Sequence, residues 1–240
     1  MVNPNINKNI RIAKFIAKSG LCSRREAERK IFAGNVSVDG KIIDSPALNI
    51  SIDSIVIVDG NKITFNNDTV IFLYHKPKGL IVSKNDEKNR LTIFDDLTES
   101  FRGLFSVGRL DKESSGLLLL TNNGDVSRHL ELPRNNFQRK YQIVINGKLS
   151  EEQLKMIKKG VRIGEFFYKP IKIFPKKTNK KISVYELFLS EGKNREIRKI
   201  IKYFKLNVLD LLRTDYGPYN IGKLKPSEFI QGNLGLINFN

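Results

Sequence analysis

The chain has one cysteine, two histidines and two methionines in 240 residues, and each scarcity narrows what it can be. A single thiol, Cys22, cannot close an internal disulfide, which suits a reducing compartment. His75 and His129 stand far apart without cysteine or histidine companions, so no metal site is expected. No apolar run approaches the ~18 residues of a membrane-spanning helix, and Met1 to Asn9 lack the apolar centre of a secretion signal. Neither a Walker-type phosphate loop nor a dinucleotide fingerprint is present, and no cofactor is expected. Acidic residues are also in short supply, 25 against 42 lysines and arginines, for a net charge of +17. That excess favours a polyanionic partner. With no membrane signal, a soluble, cytoplasmic nucleic-acid binder is the expectation, and a monomer.

What is present is ordinary globular material, 40% apolar and 28% charged, enough for one large domain or two smaller ones. Residues 10 to 33 read as two short helices. Ile12, Ala13, Ile16 and Ala17 form an apolar stripe, Ser19-Gly20 ends the first helix, and Ser23-Arg24-Arg25-Glu26 has the pattern of a capping box. Val36 and Val38 then alternate with polar residues. Asp39-Gly40 and Asp59-Gly60 are hairpin turns, each between short apolar strands. Asn66-Asn67-Asp68 marks a boundary, giving domains of 1–66 and 67–240. The first carries 10 basic and 6 acidic side chains and the second 32 and 19, so most of the excess charge lies in the larger domain.

The larger domain opens with an apolar strand, Val70 to Tyr74, and a turn, His75-Lys76-Pro77-Lys78-Gly79. Its core should lie at Leu117 to Leu120, an unbroken apolar run without helical period that ends at Asn122-Asn123-Gly124. Before that run, Gly108-Arg109-Leu110-Asp111 and Ser114-Ser115-Gly116 form a loop of small residues carrying one arginine and one carboxylate. Asp125 is expected to cap a short helix through Leu132. Tyr141 lies in a strand, where a core tyrosine is the plain alternative to a functional one. Ser150 starts a helix that Gly160 ends. The loop Pro175 to Lys181 is basic, suited equally to a solvated hairpin tip or a phosphate contact. A helix from about Asn194 to Phe204 would turn Ile197, Ile200, Ile201 and Phe204 to the core. Arg195, Lys199 and Lys202 then point away, and Arg198 falls at the margin, about 60° from Ile201.

The run Ser106 to Asp125 resembles the signature of the RsuA/RluB family of pseudouridine synthases. The match covers Gly108-Arg109-Leu110-Asp111, Ser114-Ser115-Gly116, Leu117 to Leu120, Thr121, Asn122 and Gly124, with Asn123 in place of the usual Asp. Lys76-Pro77-Lys78-Gly79, Glu191 to Lys199, Leu211-Leu212-Arg213 and Lys223 to Pro226 extend the resemblance over most of the chain. Gly20 to Ala27 and Gly34 to Gly40 are similar to an S4 RNA-binding domain. The fold implied is α+β: an S4 domain, then a catalytic domain with a central, mainly antiparallel mixed sheet flanked by helices.

The activity implied is isomerisation of uridine to pseudouridine in ribosomal RNA. Tyr74-His75-Lys76-Pro77 and Ser23-Arg24-Arg25-Glu26 favour the RluB branch and a 23S rRNA target. The resemblance gives Asp111 as the catalytic carboxylate and Arg198 as the arginine that pairs with it. Tyr141 would lie against the flipped base, Arg109 would hold the RNA open, and Leu212 is a candidate wall for the uracil. Lys76, Lys14, Ser23, Arg24 and Arg25 are the remaining RNA-binding candidates. Two rivals stand beside this reading: an S4-type RNA-binding or ribosome-assembly protein without activity, and an RsuA-type enzyme acting on 16S rRNA. A glycoside-hydrolase pair of Asp111 and Glu113 is disfavoured, because such carboxylates face each other across a sugar at about 5 Å or more.

Overall fold

A computed structural model describes residues 9–83, 86, 88–97, 101 and 103–239. They form two compact units, one of residues up to 69 together with 99–105, the other of 70–98 and 106–240.

In the first unit, helices α1 (Ile12–Lys18) and α2 (Arg24–Phe32) pair over a small sheet. The Ser23 hydroxyl accepts the Glu26 N–H and starts α2. The reciprocal half of the expected box is replaced, because the Glu26 carboxylate pairs with Arg29. Ile12, Ala13, Phe15 and Ile16 from α1 and Ala27 and Ile31 from α2 are buried against Val36, Val38, Val56 and Val58. The sheet takes its order from two hairpins, Val36–Val38 with Lys41–Ile42 and Val56–Val58 with Asn61–Ile63, joined by antiparallel pairing of their valine strands. Asp39 and Gly40 (φ 49° and 82°) and Asp59 and Gly60 (φ 49° and 78°) repeat one turn. Two successive positive φ values match the twist of the flanking strands, which is why Asp-Gly recurs there.

The second unit is built on one mixed sheet. Its main path runs Lys172–Thr178, Ile182–Leu189, Arg139–Asn146, Val208–Tyr216, Ser115–Thr121, Ile71–Lys76 and Phe229–Gln231. All these neighbours are antiparallel except Val208–Tyr216 with Ser115–Thr121. Leu117 to Leu120 are fully buried in the middle, as an uninterrupted apolar strand covered on both faces should be. At the parallel crossing Gly116 has φ +110°, and a Cβ there would stand 2.2 Å from the Arg213 carbonyl. No side chain fits, so this glycine lets the two strands approach.

Among the described residues the unit also has the α-helices α3 (Ile93–Asp96), α4 (Gly124–Glu131), α5 (Glu151–Lys159) and α6 (Glu196–Tyr203). Ser150 and Gln153 close a reciprocal capping box on α5, and Gly160 (φ +97°) stops it. On α4 the cap is Asn123, whose side chain accepts the Asp125 N–H; Asp125 lies in the first turn instead. Pro175 to Thr178 belong to an edge strand rather than a loop, with Lys176 3.5 Å from the Glu186 carboxylate.

Candidate active site

Asp111 sits in the loop between the strands Phe105–Val107 and Ser115–Thr121, and four consecutive carbonyls hold that loop in place. Asp111 O accepts the Ser114 N–H (3.0 Å) and Lys112 O accepts the Gly79 N–H (2.9 Å). Glu113 O accepts Arg198 Nη2 (2.8 Å), and Ser114 O accepts Lys76 Nζ (2.9 Å). One donor is within the loop, two come from the turn at residues 76–79, and one comes from α6. With these four successive carbonyls occupied, this half of the loop has little freedom left, so the carboxylate at its bend is presented in one place. Glu113 points to solvent.

The loop forms one wall of a cleft of ≈ 940 Å³. Asp111 and Arg109 line it with Tyr141 from one neighbouring strand, Leu211 and Arg213 from the next, and Arg195 and Arg198 from the start of α6. Arg195 Nη1 lies 3.6 Å from Asp111 Oδ2. Side-chain exposure is 47% for Arg195 and 28% for Asp111, so the pair faces the cleft. Tyr141 is buried, and the pairing register puts it beside Arg213 and Leu187.

Three expectations are corrected by this geometry. The guanidinium in ion-pair contact with Asp111 belongs to Arg195. Arg198, also in the cleft wall and near enough to Asp111 to interact with its charge, holds the loop by its backbone, donating to the Glu113 carbonyl and lying 3.4 Å from the Ser114 hydroxyl. A helical wheel had turned Arg195 away from the core, but Arg195 is the N-cap of α6 with φ 52° and ψ 32°, and the wheel does not extend to it. Leu212 is not in the cleft wall. Strand side chains alternate between faces, and Arg213 shares its face with Leu211. Lys76 cannot reach RNA, since it is fully buried and its ammonium is spent on the Pro77 and Ser114 carbonyls. Burial lowers its pKa to about 8, opposed by the nearby Asp111 and Glu113 carboxylates.

Some cleft residues escaped the sequence reading. Arg139 lines the cleft with its guanidinium 4.5 Å above the Tyr216 ring and donates to the Tyr216 hydroxyl (2.7 Å). A signal was available, because Arg139 lies two residues before Tyr141 on the same strand face. Arg213 is 2% exposed, and its Nε donates to the Leu117 carbonyl (2.7 Å). Glu191 and Glu196 form a carboxyl pair in the wall. Burial first, and then the hydrogen bond to Glu191, raises the Glu196 pKa to about 8. Glu191 goes down despite its burial, held by the Lys169 amide, Glu196 and Lys193. Glu196 Oε1 is buried with no donor facing it among the described residues. A proton there, donated to Glu191, resolves that orphaned oxygen. Among the described residues no group of three or more His, Cys, Asp or Glu is placed to hold a metal ion.

In the first unit, Arg24 and Arg25 are exposed in the opening turn of α2, and Lys14 is half-buried on α1. Ser23 is exposed but its hydroxyl is committed to the helix cap.

Comparison with known proteins follows this division. The RNA pseudouridylate synthase family model matches residues 70–203, and the S4 domain model matches residues 10–56. An RNA pseudouridine synthase of Rickettsia felis is 45% identical over 95% of this chain and 98% of its own. The ribosomal large subunit pseudouridine synthase B of Bacillus subtilis is 32% identical over 88% of this chain and 87% of its own. A crystal structure of a pseudouridylate synthase aligns with a TM-score of 0.66 at 23% identity, covering 95% of this chain and all of the other, and shares its fold.

Proposed function

Since this chain belongs to the RNA pseudouridylate synthase family, we propose that it converts one uridine of large-subunit ribosomal RNA to pseudouridine, with Asp111 as the acting carboxylate. The reaction breaks the bond from C1′ to N1, turns the uracil within the site and joins C1′ to C5. The C5 proton leaves and N1 takes one up. Nothing is oxidised or reduced, so the protein must supply position, a carboxylate and proton handling.

The observation that carries this reading is the partly exposed Asp111 carboxylate at the bend of a loop held by four successive carbonyls, in contact with an arginine of the same cleft. Asp111 acts at the nucleotide as a covalent nucleophile or as the group that drives loss and recapture of the base. Arg195, 3.6 Å away, orients the carboxylate. The target nucleotide must leave its stack to reach the cleft, because C1′ and C5 are not otherwise open to one pocket. Tyr141 offers a ring for the extruded uracil, and exposed Arg109 offers a cation to the phosphates around the gap.

The S4 unit serves to anchor the RNA through Arg24 and Arg25. Two arginines in the first turn of a helix oppose its dipole, a small cost that a bound phosphate would offset. The large-subunit target follows the relatives named for that subunit. No described helix is long and apolar enough to cross a membrane.

The test is a pseudouridine map of both ribosomal RNAs from cells lacking the protein, restored with wild type or with Asp111→Asn. One large-subunit site lost, and regained only with wild type, is the expected result. A small-subunit site would move the target. An unchanged map would remove the catalytic reading in that cell.

A further inference from the structure

Resting on the reading of the cleft as an RNA site, we infer that α6 and the hairpin Val161–Ile163 with Phe166–Tyr168 form a stacking track for unpaired RNA beside the target nucleotide. Phe166 is 63% exposed, just after the Gly164-Glu165 turn of that hairpin. Successive strand residues face opposite sides. Phe166 therefore turns to α6, where Lys199 Nζ lies 5.9 Å from its ring, and Phe167 turns to Arg162, also at 5.9 Å.

The track is tied to the cleft at two points. Lys193 in the cleft wall donates to the Phe167 carbonyl (2.5 Å) and stands 5.6 Å from the Tyr168 ring. Arg195, the partner of Asp111, lies one helical turn before Lys199, whose N–H donates to the Arg195 carbonyl (2.9 Å). A row of exposed cations thus leads from the Asp111 pair to an uncovered aromatic ring.

Alternation of cations and exposed rings suits a single-stranded nucleic acid. Phosphates meet the cations while bases stack on the rings without regard to sequence. A duplex offers no open base faces to Phe166. A protein partner seeking an apolar patch would meet Lys193, Arg195 and Lys199 in the same place, all exposed. The charge pattern favours the polyanion.

The experiment uses the whole protein and two labelled probes in fluorescence anisotropy: an oligouridine of about twelve nucleotides and a blunt RNA duplex. Phe166→Ala is expected to weaken oligouridine binding about tenfold, the loss of one stacked base, while duplex binding changes less than about twofold. Phe166→Tyr should restore it, and Lys199→Gln should weaken it with a shallower salt dependence. Equal oligouridine affinity for Phe166→Ala and wild type would overturn the track, as would equal losses on both probes. The cellular pseudouridine map decides separately whether the cleft acts on RNA. A normal map with unaltered oligouridine binding by Phe166→Ala sinks the track alone.

Discussion

Arg195 and Arg198 differ by less than one helical turn, yet one is in ion-pair contact with the Asp111 carboxylate and the other hydrogen-bonds the backbone of its loop. Their removal should therefore fail in different ways. Arg195→Ala takes away a half-exposed cation that orients the carboxylate, so kcat is expected to fall about 100-fold with little change in the urea midpoint. Arg198→Ala leaves the Glu113 carbonyl without its donor and frees the loop, and should cost about 1–3 kcal/mol of stability besides activity. Single-turnover assays together with urea unfolding separate the two. The same reasoning places Lys76 among the braces. Its stem crosses the core, and its charge is matched by two carbonyls and by the proximity of Asp111 and Glu113.

At the scale of an element, the entry to α6 carries a pH-sensitive carboxyl pair. Glu196 follows the left-handed Arg195 directly and is hydrogen-bonded to Glu191, an arrangement in which it keeps its proton. Its folded pKa of about 8 lies above the ordinary carboxylate value of 4.5. Between those values the folded chain keeps a proton that the unfolded chain releases, so this contribution to stability is full below about 4.5 and is lost as pH rises through 8. Glu196→Gln keeps an N–H donor toward Glu191 and removes the titration. The melting temperature of wild type relative to Glu196→Gln should decline by several degrees from pH 5 to pH 9, at about 2–4 °C per kcal/mol for a chain of this size. A constant difference across that range would show that the pair shares no proton.

For the whole molecule, the net charge of +17 is a statement about affinity. Arg109, Arg139, Lys193 and Arg195 converge on one cleft, and Lys199 continues outward from it. Binding to ribosomal RNA should weaken steeply with salt as counterions return to the phosphates. A log–log slope steeper than about −5 in filter binding is expected, corresponding to about six neutralised phosphates. A slope near −1 would mean that the excess charge is solvated surface and takes no part in holding RNA.

The sequence by itself determined whatever depends on near neighbours. The Leu117 to Leu120 run had to be a doubly covered strand, the two Asp-Gly pairs had to be hairpin turns, and Ser150 with Gln153 had to cap α5. Asp111 stood out because its loop lies against that buried strand and carries an uninterrupted pattern. Only the tertiary structure decided which arginine faces Asp111, because a helical wheel presumes helical dihedrals and Arg195 has left them. It likewise decided for Leu211 over Leu212, through the register of one sheet. Lys76 inside the core, and donors from Gly79, Arg198 and Lys76 gathered onto the successive carbonyls of Lys112, Glu113 and Ser114, are pairings across tens of residues. Local periodicity carries no record of such meetings, since they depend on where the sheet brings distant backbone together.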